Sequence, residues 1–593
     1  MSDLHALSAA LKELLPNKEQ YNAATAQGHC VVIAGPGSGK TKTLTTAMAR
    51  ALMDDVAEPR GVACITYNNE CAAELEERLA CFGIDGRNRN FIGTVHSFAL
   101  TQVLIPYSRC IPGLLPSNFR VATRDECRTA VEAAYLTKFG ANEEPHARWK
   151  FAEEKRRRDV NRLLPSWRNT NPELAEFIEM YEAQLRYAGL IDFDDMPLIA
   201  LRMIREHAWI RNAIRSRYPI LFVDEYQDLG HALHELVLQL CFEAGIRLFA
   251  VGDADQSIYG FNGANPRLLE NLVSRSDVET FRLRFNYRSG AKIIRASMGA
   301  LGKERNYRAP DGTAEGEIGL HGVRGEYEVQ ANYIAHYIIP SLTARGFQPE
   351  RIGVLYRAAW LGDKVADALK SKNIPLIRTD GNALIKRTSR LACLIEACSQ
   401  WVTGGWKDAS PSFNQLMGQA LSVVYARRAS RLEEQILTVQ LITFLRSGID
   451  GDETAHEWLR RFNNELISSW RGVAHNPQPE WDVVTELLKR TDPFSGLDMA
   501  LTVFAGKLEG TGRVTLSTLH SAKGREFDVA IMYGVNDFDF PSKRDLASEN
   551  TLRETRRLFY VGVTRPRKEL HIVYKEGRHS PWVTELYHRS QQV

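Results

Sequence analysis

The sequence predicts an α/β fold in which parallel β-sheets alternate with helices. One observation is a set of short, continuous apolar runs bounded by turn or polar residues, which is typical of strands buried on both faces of a sheet. These runs are residues 30–34, 62–66, 220–223, 248–251, 352–356, 529–533 and 570–574. The other is that helical patterns, such as 41–53 and 70–79, alternate with the runs, as expected for α/β layers.

Length and composition restrict the class of protein. A chain of 593 residues is too long for one hydrophobic core, so we expect several compact units. Lys and Arg total 75 against 72 for Asp and Glu, so any contact with nucleic acid must come from a local groove rather than from net charge. The nine Cys form no CxxC pair, which argues against a zinc or iron–sulfur site and for a reducing, cytoplasmic setting. We expect no membrane span, since no apolar run reaches about 18 residues.

One apolar run breaks into a glycine-rich turn that is typical of a nucleoside triphosphate site. Residues 30–41 read CVVIAGPGSGKT. Small residues let the backbone curl until its N–H groups point at phosphate oxygens, while Lys40 can reach the β- and γ-phosphates and Thr41 can hold Mg²⁺. Ala34 stands where the common pattern has Gly, but the three glycines that follow preserve the mechanism. The predicted ATP-binding loop is Ala34, Gly35, Pro36, Gly37, Ser38, Gly39, Lys40 and Thr41.

Two other runs end in polar residues that suit the same chemistry. Residues 218–228 read YPILFVDEYQD, which places Asp224 and Glu225 directly after a strand. There, an Asp can hold Mg²⁺ and a Glu can accept a proton from the attacking water. Gln256 follows the run 248–251 and is suited to sensing the γ-phosphate or orienting water. The alternative for the acidic pair is a surface turn, but the phosphate loop upstream favours the catalytic interpretation.

Tyr259 and Phe261 alternate around a glycine in the segment VGDADQSIYGFNGA. Exposed aromatic rings on flexible, polar backbone are suited to stacking on unpaired bases. The alternative is that both rings belong to the core. Beside a nucleotide site, we favour stacking.

Two stretches, 105–191 and 401–510, are rich in Leu, Arg, Glu and Trp at helical spacing and predict helical insertions. In the first, we interpret the basic run 155–158 as a solvated helix face rather than a DNA contact. The segment GLIDFDD, residues 189–195, marks the return to the core. Its aspartates, Asp192, Asp194 and Asp195, are interpreted as structural caps rather than metal ligands, because no partner spacing accompanies them.

The joint order of the motifs resembles that of the UvrD/PcrA/Rep helicases of superfamily 1. The motifs are GPGSGKT, TYNNECAAELEERL, GTVHSF, VDEYQD, GDADQSIYGFNGA, NYRS, TLHSAKGREFD and RRLFYVGVTR. This resemblance implies two RecA-like core domains, each with a mainly helical insertion, and ATP bound between the cores. The implied boundaries are 1–104 and 192–280 for the first core, 105–191 for its insertion, 281–400 and 511–593 for the second core, and 401–510 for a compact second insertion.

The resemblance also implies roles around the nucleotide. Gln20 would read the adenine edge and Tyr287 would stack on the adenine. Arg288 would reach the γ-phosphate and Arg565 would be the arginine finger, so that hydrolysis needs residues from both cores. Glu526 would contact the nucleotide. The implied catalytic set is Lys40, Asp224, Glu225, Gln256, Arg288 and Arg565, with Mg²⁺ held by Thr41 and Asp224.

The same resemblance implies single-stranded DNA as the track and 3′ to 5′ translocation, with 3′-tailed duplex as a substrate. Ser and Thr hydroxyls bind phosphate oxygens without sequence choice, so we expect weak sequence preference. For His96 and His520, a structural, hydrogen-bonded role remains the alternative. The implied DNA contacts are Tyr67, Thr94, His96, Tyr259, Phe261, Arg357 and His520.

The chain departs from the family pattern in three places. Asn262 stands where relatives usually carry Arg, residues after Arg357 read AAWLGD where relatives tend to place Asn, and the second insertion is short. These departures motivate an alternative function, a DNA-sensing ATPase subunit that gates a partner nuclease and unwinds little. The size and the FIGT and LFAVGD segments also resemble the helicase subunit of the Gabija anti-phage defence system, which would imply a separate ATPase–nuclease partner. The expected pathway is therefore DNA repair or anti-phage defence.

Overall fold

The computed structural model describes residues 2–84, 89–116, 118–140, 144–386, 389–425, 429–449, 453–473, 480–494, 499–506 and 512–592. The chain divides into two compact units. The first comprises residues 1–35 and 39–283, and the second comprises 36–38 and 284–593. Each unit is organised around its own six-stranded parallel sheet, which confirms the predicted α/β class.

The first unit contains eight strands among its described residues: β1 Cys30–Ala34, β2 Ala63–Thr66, β3 Phe91–Thr94, β4 Arg120–Val121, β5 Leu190–Ile191, β6 Ile220–Val223, β7 Arg247–Gly252 and β8 Glu279–Leu283. The main sheet has the order β3-β2-β6-β7-β1-β8, and β4 pairs with β5 separately. Pairing within the main sheet is parallel throughout, with Val31 opposite Ala250 and Cys64 opposite Phe222.

Both faces of this sheet are buried. Along β1 and β6, alternate residues belong to different apolar clusters: Val32 and Phe222 lie in one, Val31 and Leu221 in the other. Continuous apolar runs are the expected sequence of strands covered on both sides. The principal helices of the first unit are Ser2–Leu14, Lys18–Thr25, Lys40–Arg50, Asn69–Ala80, Val95–Phe98, Arg124–Phe139, Pro145–Arg158, Ser166–Asn169, Pro172–Tyr187, Asp195–Glu206, Ala208–Arg217, His231–Leu238 and Arg267–Val273.

The second unit repeats the parallel-sheet plan. Its strands are β9 Glu317–Val323, β10 Ile352–Tyr356, β11 Leu376–Arg378, β12 Val514–Thr518, β13 Phe527–Tyr533 and β14 Pro566–Lys575, in the order β11-β12-β10-β13-β14-β9. Its principal helices are Ala291–Leu301, Tyr327–Tyr333, Ile339–Ala344, Ala359–Ser371, Arg390–Gln400, Phe413–Val424, Arg431–Ser447, Ala455–Phe462, Ser468–Val473, Asp482–Arg490, Leu501–Ala505, Glu549–Val563 and Pro581–Ser590. The helices from Arg390–Gln400 to Leu501–Ala505 enclose an apolar cluster of their own.

The interpretation of the basic run 155–158 as a solvated face was wrong for Lys155 and Arg156, although Arg158 is exposed. Lys155 and Arg156 are both buried. The Arg156 guanidinium donates to Asp192 at 2.5 and 3.0 Å, to Asp195 at 2.6 Å and to Glu182 at 2.7 Å. A helical spacing with acidic neighbours does not reveal this burial, because the carboxylates that compensate the cation come from residues 26 to 39 positions away.

The aspartates of GLIDFDD are structural, as predicted. Asp195 donates its backbone N–H to the Asp192 carboxylate at 2.8 Å, and Asp192 donates its own N–H to the Asp195 carboxylate at 3.1 Å. Burial acts to raise the pKa of Asp195, but Arg156 and Arg186 hold it at about 2. No group of three or more His, Cys, Asp or Glu suited to a metal ion occurs in the described part of the chain. Among those residues, no helix is long and apolar enough to cross a membrane.

Candidate functional site

The glycine-rich turn joins β1 to the helix Lys40–Arg50. Gly37 and Gly39 have φ of +68° and +83°, a left-handed region that other L-residues rarely adopt. A Cβ on Gly39 would also collide with the side-chain amide of Gln20. The turn therefore requires glycine at this position, and the buried Gln20 lies directly beside the loop. The N-terminus of the helix presents unpaired N–H groups and a positive dipole end, as phosphate binding requires.

Two carboxylates and one cation lie together at the end of β6. Lys40 Nζ is 3.4 Å from Glu225 Oε1, and the Glu225 backbone N–H donates to Asp224 Oδ1 at 3.0 Å. Burial, with the nearby Glu225 charge, raises the pKa of Asp224 to about 7, although Lys40 acts to lower it. Glu225 has φ of +50°. A residue other than glycine in this region stores strain, and such residues concentrate at functional sites.

A chain of side-chain hydrogen bonds connects Glu225 with Gln256. The Gln227 amide donates to the Glu225 carboxylate, and its oxygen accepts the Asp253 backbone N–H at 2.8 Å. Gln256 then donates to Asp253 Oδ2 at 2.6 Å. Burial and Asp255 raise the pKa of Asp253 to about 6. The structure thus places four of the predicted residues, Lys40, Asp224, Glu225 and Gln256, in one connected group.

Aromatic side chains follow β2 and β7, which β6 separates in the sheet, at the same carboxyl edge. Tyr67, after β2, stacks on Tyr259, after β7, with ring centroids 4.4 Å apart and planes at 20°. Phe261 meets Tyr259 edge-on at 6.0 Å and is 63% exposed. The core alternative is therefore wrong for Phe261. Carboxyl ends of parallel strands are where open α/β sheets bind ligands, so these rings share an edge with the phosphate loop.

His96 and Phe193 form a second aromatic pair. Their ring centroids are 3.7 Å apart at 26°, and Phe193 is 47% exposed. Burial lowers the pKa of His96 to about 4, with an opposing contribution from Asp194, so the imidazole is neutral at pH 7. Thr94 caps the short helix that carries His96 by accepting the Ser97 N–H at 3.2 Å, which commits its hydroxyl oxygen to a structural bond.

In the second unit, Arg288, Glu526 and Arg565 lie around Thr564. Arg288 forms an ion pair with Glu526 and donates to the Thr564 carbonyl at 3.2 Å. Arg565 is buried and donates to the Val561 carbonyl at 2.8 Å and to Thr564 Oγ1 at 3.0 Å. Burial acts to raise the pKa of Glu526, but Arg288 and Arg567 hold it below its ordinary value.

The other predicted residues of the second unit differ in exposure. Tyr287 is 52% exposed, as a ring that stacks on a base must be. Arg357, a predicted DNA contact, binds Asp545 at 2.6 Å and the Asp539 carbonyl at 2.7 Å. Burial lowers the pKa of His520 to about 4, and the charges of Arg357 and Lys523 lower it further.

Two groups in the site were not predicted from the sequence. Phe193 was not predicted, because the aspartates around it dominate the pattern of GLIDFDD. The Gln227–Asp253 link was not predicted because it joins segments 26 residues apart. An exposed aromatic between acidic residues in GLIDFDD was a signal for the first; no local sequence signal exists for the second.

Two RecA-like sheets, one of which carries a glycine-rich phosphate loop after its strand β1, define the class of P-loop proteins. Sequence profiles identify the family within this class. Residues 16–276 match the UvrD/REP helicase N-terminal domain, and residues 456–577 match the UvrD-like helicase C-terminal domain. The chain belongs to the UvrD-like helicases of superfamily 1.

Three relatives illustrate the similarity. The ATP-dependent DNA helicase PcrA of Leuconostoc citreum is 27% identical, over 94% of this chain and 81% of that protein. The ATP-dependent DNA helicase UvrD1 of Mycobacterium tuberculosis is 26% identical, over 94% and 82%. DNA helicase II of Escherichia coli is 26% identical, over 98% and 86%.

Proposed function

We propose that this chain is an ATP-dependent DNA helicase that hydrolyses ATP while moving along single-stranded DNA in the 3′ to 5′ direction. The observation that carries the proposal is the group formed by Lys40, Asp224 and Glu225 behind a glycine-rich loop. Family membership and the names of the relatives support the choice of DNA as substrate.

The nucleotide chemistry follows from the residues of the first unit. The loop N–H groups and Lys40 bind the triphosphate, and Glu225 accepts the proton of the attacking water. When triphosphate oxygens bind the Lys40 ammonium group, the ion pair of Lys40 with Glu225 breaks. The Glu225 carboxylate is then available as a base. The Gln227–Asp253 link couples the position of Glu225 to Gln256, the proposed reporter of the γ-phosphate.

Thr41 and Asp224 fit a divalent cation. The raised pKa of Asp224 reflects a buried carboxylate whose negative charge is incompletely compensated, and a hard cation prefers such oxygen ligands. Thr41 and Asp224 would hold the ion, and a bound Mg²⁺ would supply positive charge to stabilise the transferring phosphoryl group. Thr41, in the first turn of the helix that follows the loop, offers a hydroxyl for the same ion.

We propose the remaining roles from the motif order. Gln20 and Tyr287 bind the adenine, Glu526 contacts the nucleotide, and Arg288 and Arg565 act on the same triphosphate as Lys40. For Arg565 this role requires its guanidinium to exchange the bond to the Val561 carbonyl for a phosphate oxygen. We also propose that 105–191 and 401–510 are insertions into two cores, 1–104 with 192–280 and 281–400 with 511–593.

DNA is proposed to contact Tyr67, Thr94, His96, Tyr259 and Phe261 on the first unit. The exposed Phe261 ring and the Tyr67–Tyr259 stack support base stacking, which is tolerant of sequence because every base has a π-face. We add Phe193 to this set, since its half-exposed ring extends the neutral imidazole of His96.

The direct test compares ATP hydrolysis with and without single-stranded DNA in the wild type, Lys40→Ala and Glu225→Gln. The wild type is expected to be stimulated by DNA. Both variants are expected to lose at least about 100-fold in kcat, the scale of losing a positioned general base or a phosphate-binding group. Glu225→Gln should still bind ATP, because the loop and Lys40 remain. Equal turnover in all three proteins would contradict the proposal.

A second candidate is a DNA-sensing ATPase subunit that gates a partner nuclease. Asn262, exposed next to Phe261, motivates it, because an amide replaces the guanidinium that relatives usually carry there. Unwinding of a 3′-tailed duplex distinguishes the two candidate functions, because robust strand separation by the chain alone would exclude the gating role. A nuclease that co-purifies with the chain would favour anti-phage defence, of the Gabija type, over DNA repair.

A further inference from the structure

Two exposed aromatic side chains lie at the carboxyl edge of the second sheet, outside the predicted DNA-binding set. Trp360 is 50% exposed and Phe538 is 58% exposed. Trp360 follows β10 and Phe538 follows β13, and these strands are neighbours with Leu355 opposite Met532. Both rings therefore lie at the sheet edge where parallel α/β sheets bind ligands.

The backbone at Phe538 is strained without a packing reason. Its φ is +64°, a region in which a bulky residue is an outlier. A buried ring could compensate such strain, but this ring is mostly in solvent. Unexplained strain of this kind concentrates at ligand-binding sites.

The loop that carries Phe538 is connected to the first turn of the helix Ala359–Ser371, which carries Trp360. The Arg357 guanidinium, three residues before Trp360, donates to the Asp539 carbonyl at 2.7 Å and binds Asp545 at 2.6 Å. Tyr327 donates its hydroxyl to the Asp539 carboxylate and meets the Trp360 ring edge-on at 5.2 Å. Arg357 thus holds the loop of Phe538 against the start of the helix that carries Trp360.

Most carboxylates at this edge have partners, and two cations remain for a polyanion. The Asp537 carboxylate accepts the Phe538 backbone N–H at 3.0 Å. Asp545 is paired with Arg357, and the Asp539 carboxylate accepts from Tyr327 and Asn536. Lys543 and Arg544, on the loop of Phe538, are exposed, and neither forms an ion pair with a residue in the described ranges. His520, after the neighbouring strand β12, feels the Arg357 charge and so belongs to the same edge.

We propose that Trp360 and Phe538 form a stacking platform for unpaired bases, with Arg357 as a positioning residue for the loop and Lys543 and Arg544 as phosphate contacts. The inference rests on the proposed function, since its ligand is the single strand on which the chain moves. Flat rings in solvent stack on bases that have left a duplex, whereas paired bases offer only their edges.

The test uses fluorescence anisotropy of the full chain with two labelled oligonucleotides of equal length, oligo-dT and an abasic strand. Trp360→Ala and Phe538→Gly are each expected to weaken dT binding about 5-fold or more, the scale of one lost base stack. The abasic strand has no bases, so wild type and variants should bind it equally. Trp360→Phe keeps a ring and should retain most of the affinity.

The Phe538→Gly variant distinguishes a loss of DNA binding from a loss of folding stability. Glycine relieves the positive φ but adds freedom to the unfolded chain, so the melting temperature should change little. Tyr337→Ala removes an aromatic of similar exposure (65%) whose ring neighbours are Tyr333 and His336 rather than either proposed ring, and it should leave dT binding unchanged.

The outcomes distinguish the platform from the function. If the wild type binds dT but both variants match it, the platform is wrong and the helicase proposal stands. If the variants bind the abasic strand or blunt duplex as much more weakly than the wild type as they bind dT, base stacking is also overturned. If the wild type neither binds dT nor hydrolyses ATP faster with it, the proposed function itself fails.

Discussion

At the scale of single residues, Asp224 shows how strongly a buried site shapes its own chemistry. Burial and Glu225 raise the pKa of this carboxyl to about 7, from about 3.9 in an unfolded chain. The folded state therefore binds the proton more tightly, so the folded state loses stability as the pH rises from about 4 through 7. We predict that Asp224→Asn raises the melting temperature of the nucleotide-free protein at pH 8 and does so much less at pH 5, as measured by thermal scans.

The matched control for that experiment is Asp277→Asn. Arg275 lowers the pKa of the exposed Asp277, so this substitution should not stabilise the protein at pH 8. A stabilisation by Asp224→Asn that is equal at both pH values would contradict the assignment of the penalty to ionisation.

Residue identities in the site were predictable where a local pattern carries the chemistry. The loop around Lys40 and the acidic pair after β6 follow from segments of about a dozen residues. Arg357 illustrates the limit, because its predicted DNA role rests on its motif, whereas its guanidinium binds Asp545, 188 residues away. A partner at that separation leaves no trace in a local pattern.

At the scale of elements, the buried ionic cluster around Arg156 joins the helix Pro145–Arg158 to the segment that precedes Asp195–Glu206. We predict that Arg156→Met destabilises this region by about 3–5 kcal/mol, because removing the cation leaves the buried Asp192 carboxylate without its ion-pair partner. Hydrogen exchange of the helix Pro172–Tyr187, which contributes Glu182, measures the loss. Arg158→Met is the control: its ion pair with Asp159 is largely exposed and should cost less than about 1 kcal/mol.

Whether a strand was predicted from the sequence depends mainly on whether it lies in the interior or at the edge of its sheet. Every predicted apolar run became an interior strand, with ends within four residues of the prediction. Four strands that were not predicted, β3, β8, β9 and β11, lie at the sheet edges. An edge strand such as β9, EIGLHGV, has few fully buried residues, so no continuous apolar run is needed. Three further strands were not predicted. β4 and β5 are two-residue strands that form the separate pair, and β12 is interior but reads VTLST, in which Thr and Ser interrupt the apolar pattern.

At the scale of the whole molecule, the proposed function assigns Lys40 and Arg288 to one reaction although they belong to different units. If both act on the same triphosphate, their effects on kcat cannot be independent, because groups that serve one transition state are strongly non-additive when removed. We predict that Arg288→Ala lowers DNA-stimulated kcat by about 10³-fold or more, the lower end of the range for losing a guanidinium that stabilises the transferring phosphoryl group, while ATP binding persists.

The decisive measurement is the double variant Lys40→Ala with Arg288→Ala, compared with each single variant. Its kcat should be close to that of Lys40→Ala alone. Arg567→Ala is the matched control, since Arg567 shares the Glu526 carboxylate with Arg288 but lies outside the proposed catalytic set. If freeing Glu526 caused the loss, Arg567→Ala would show it too. If the fold-losses in kcat caused by Lys40→Ala and Arg288→Ala multiply in the double variant, the two units do not share a triphosphate. The coupling of hydrolysis to movement would then need another origin.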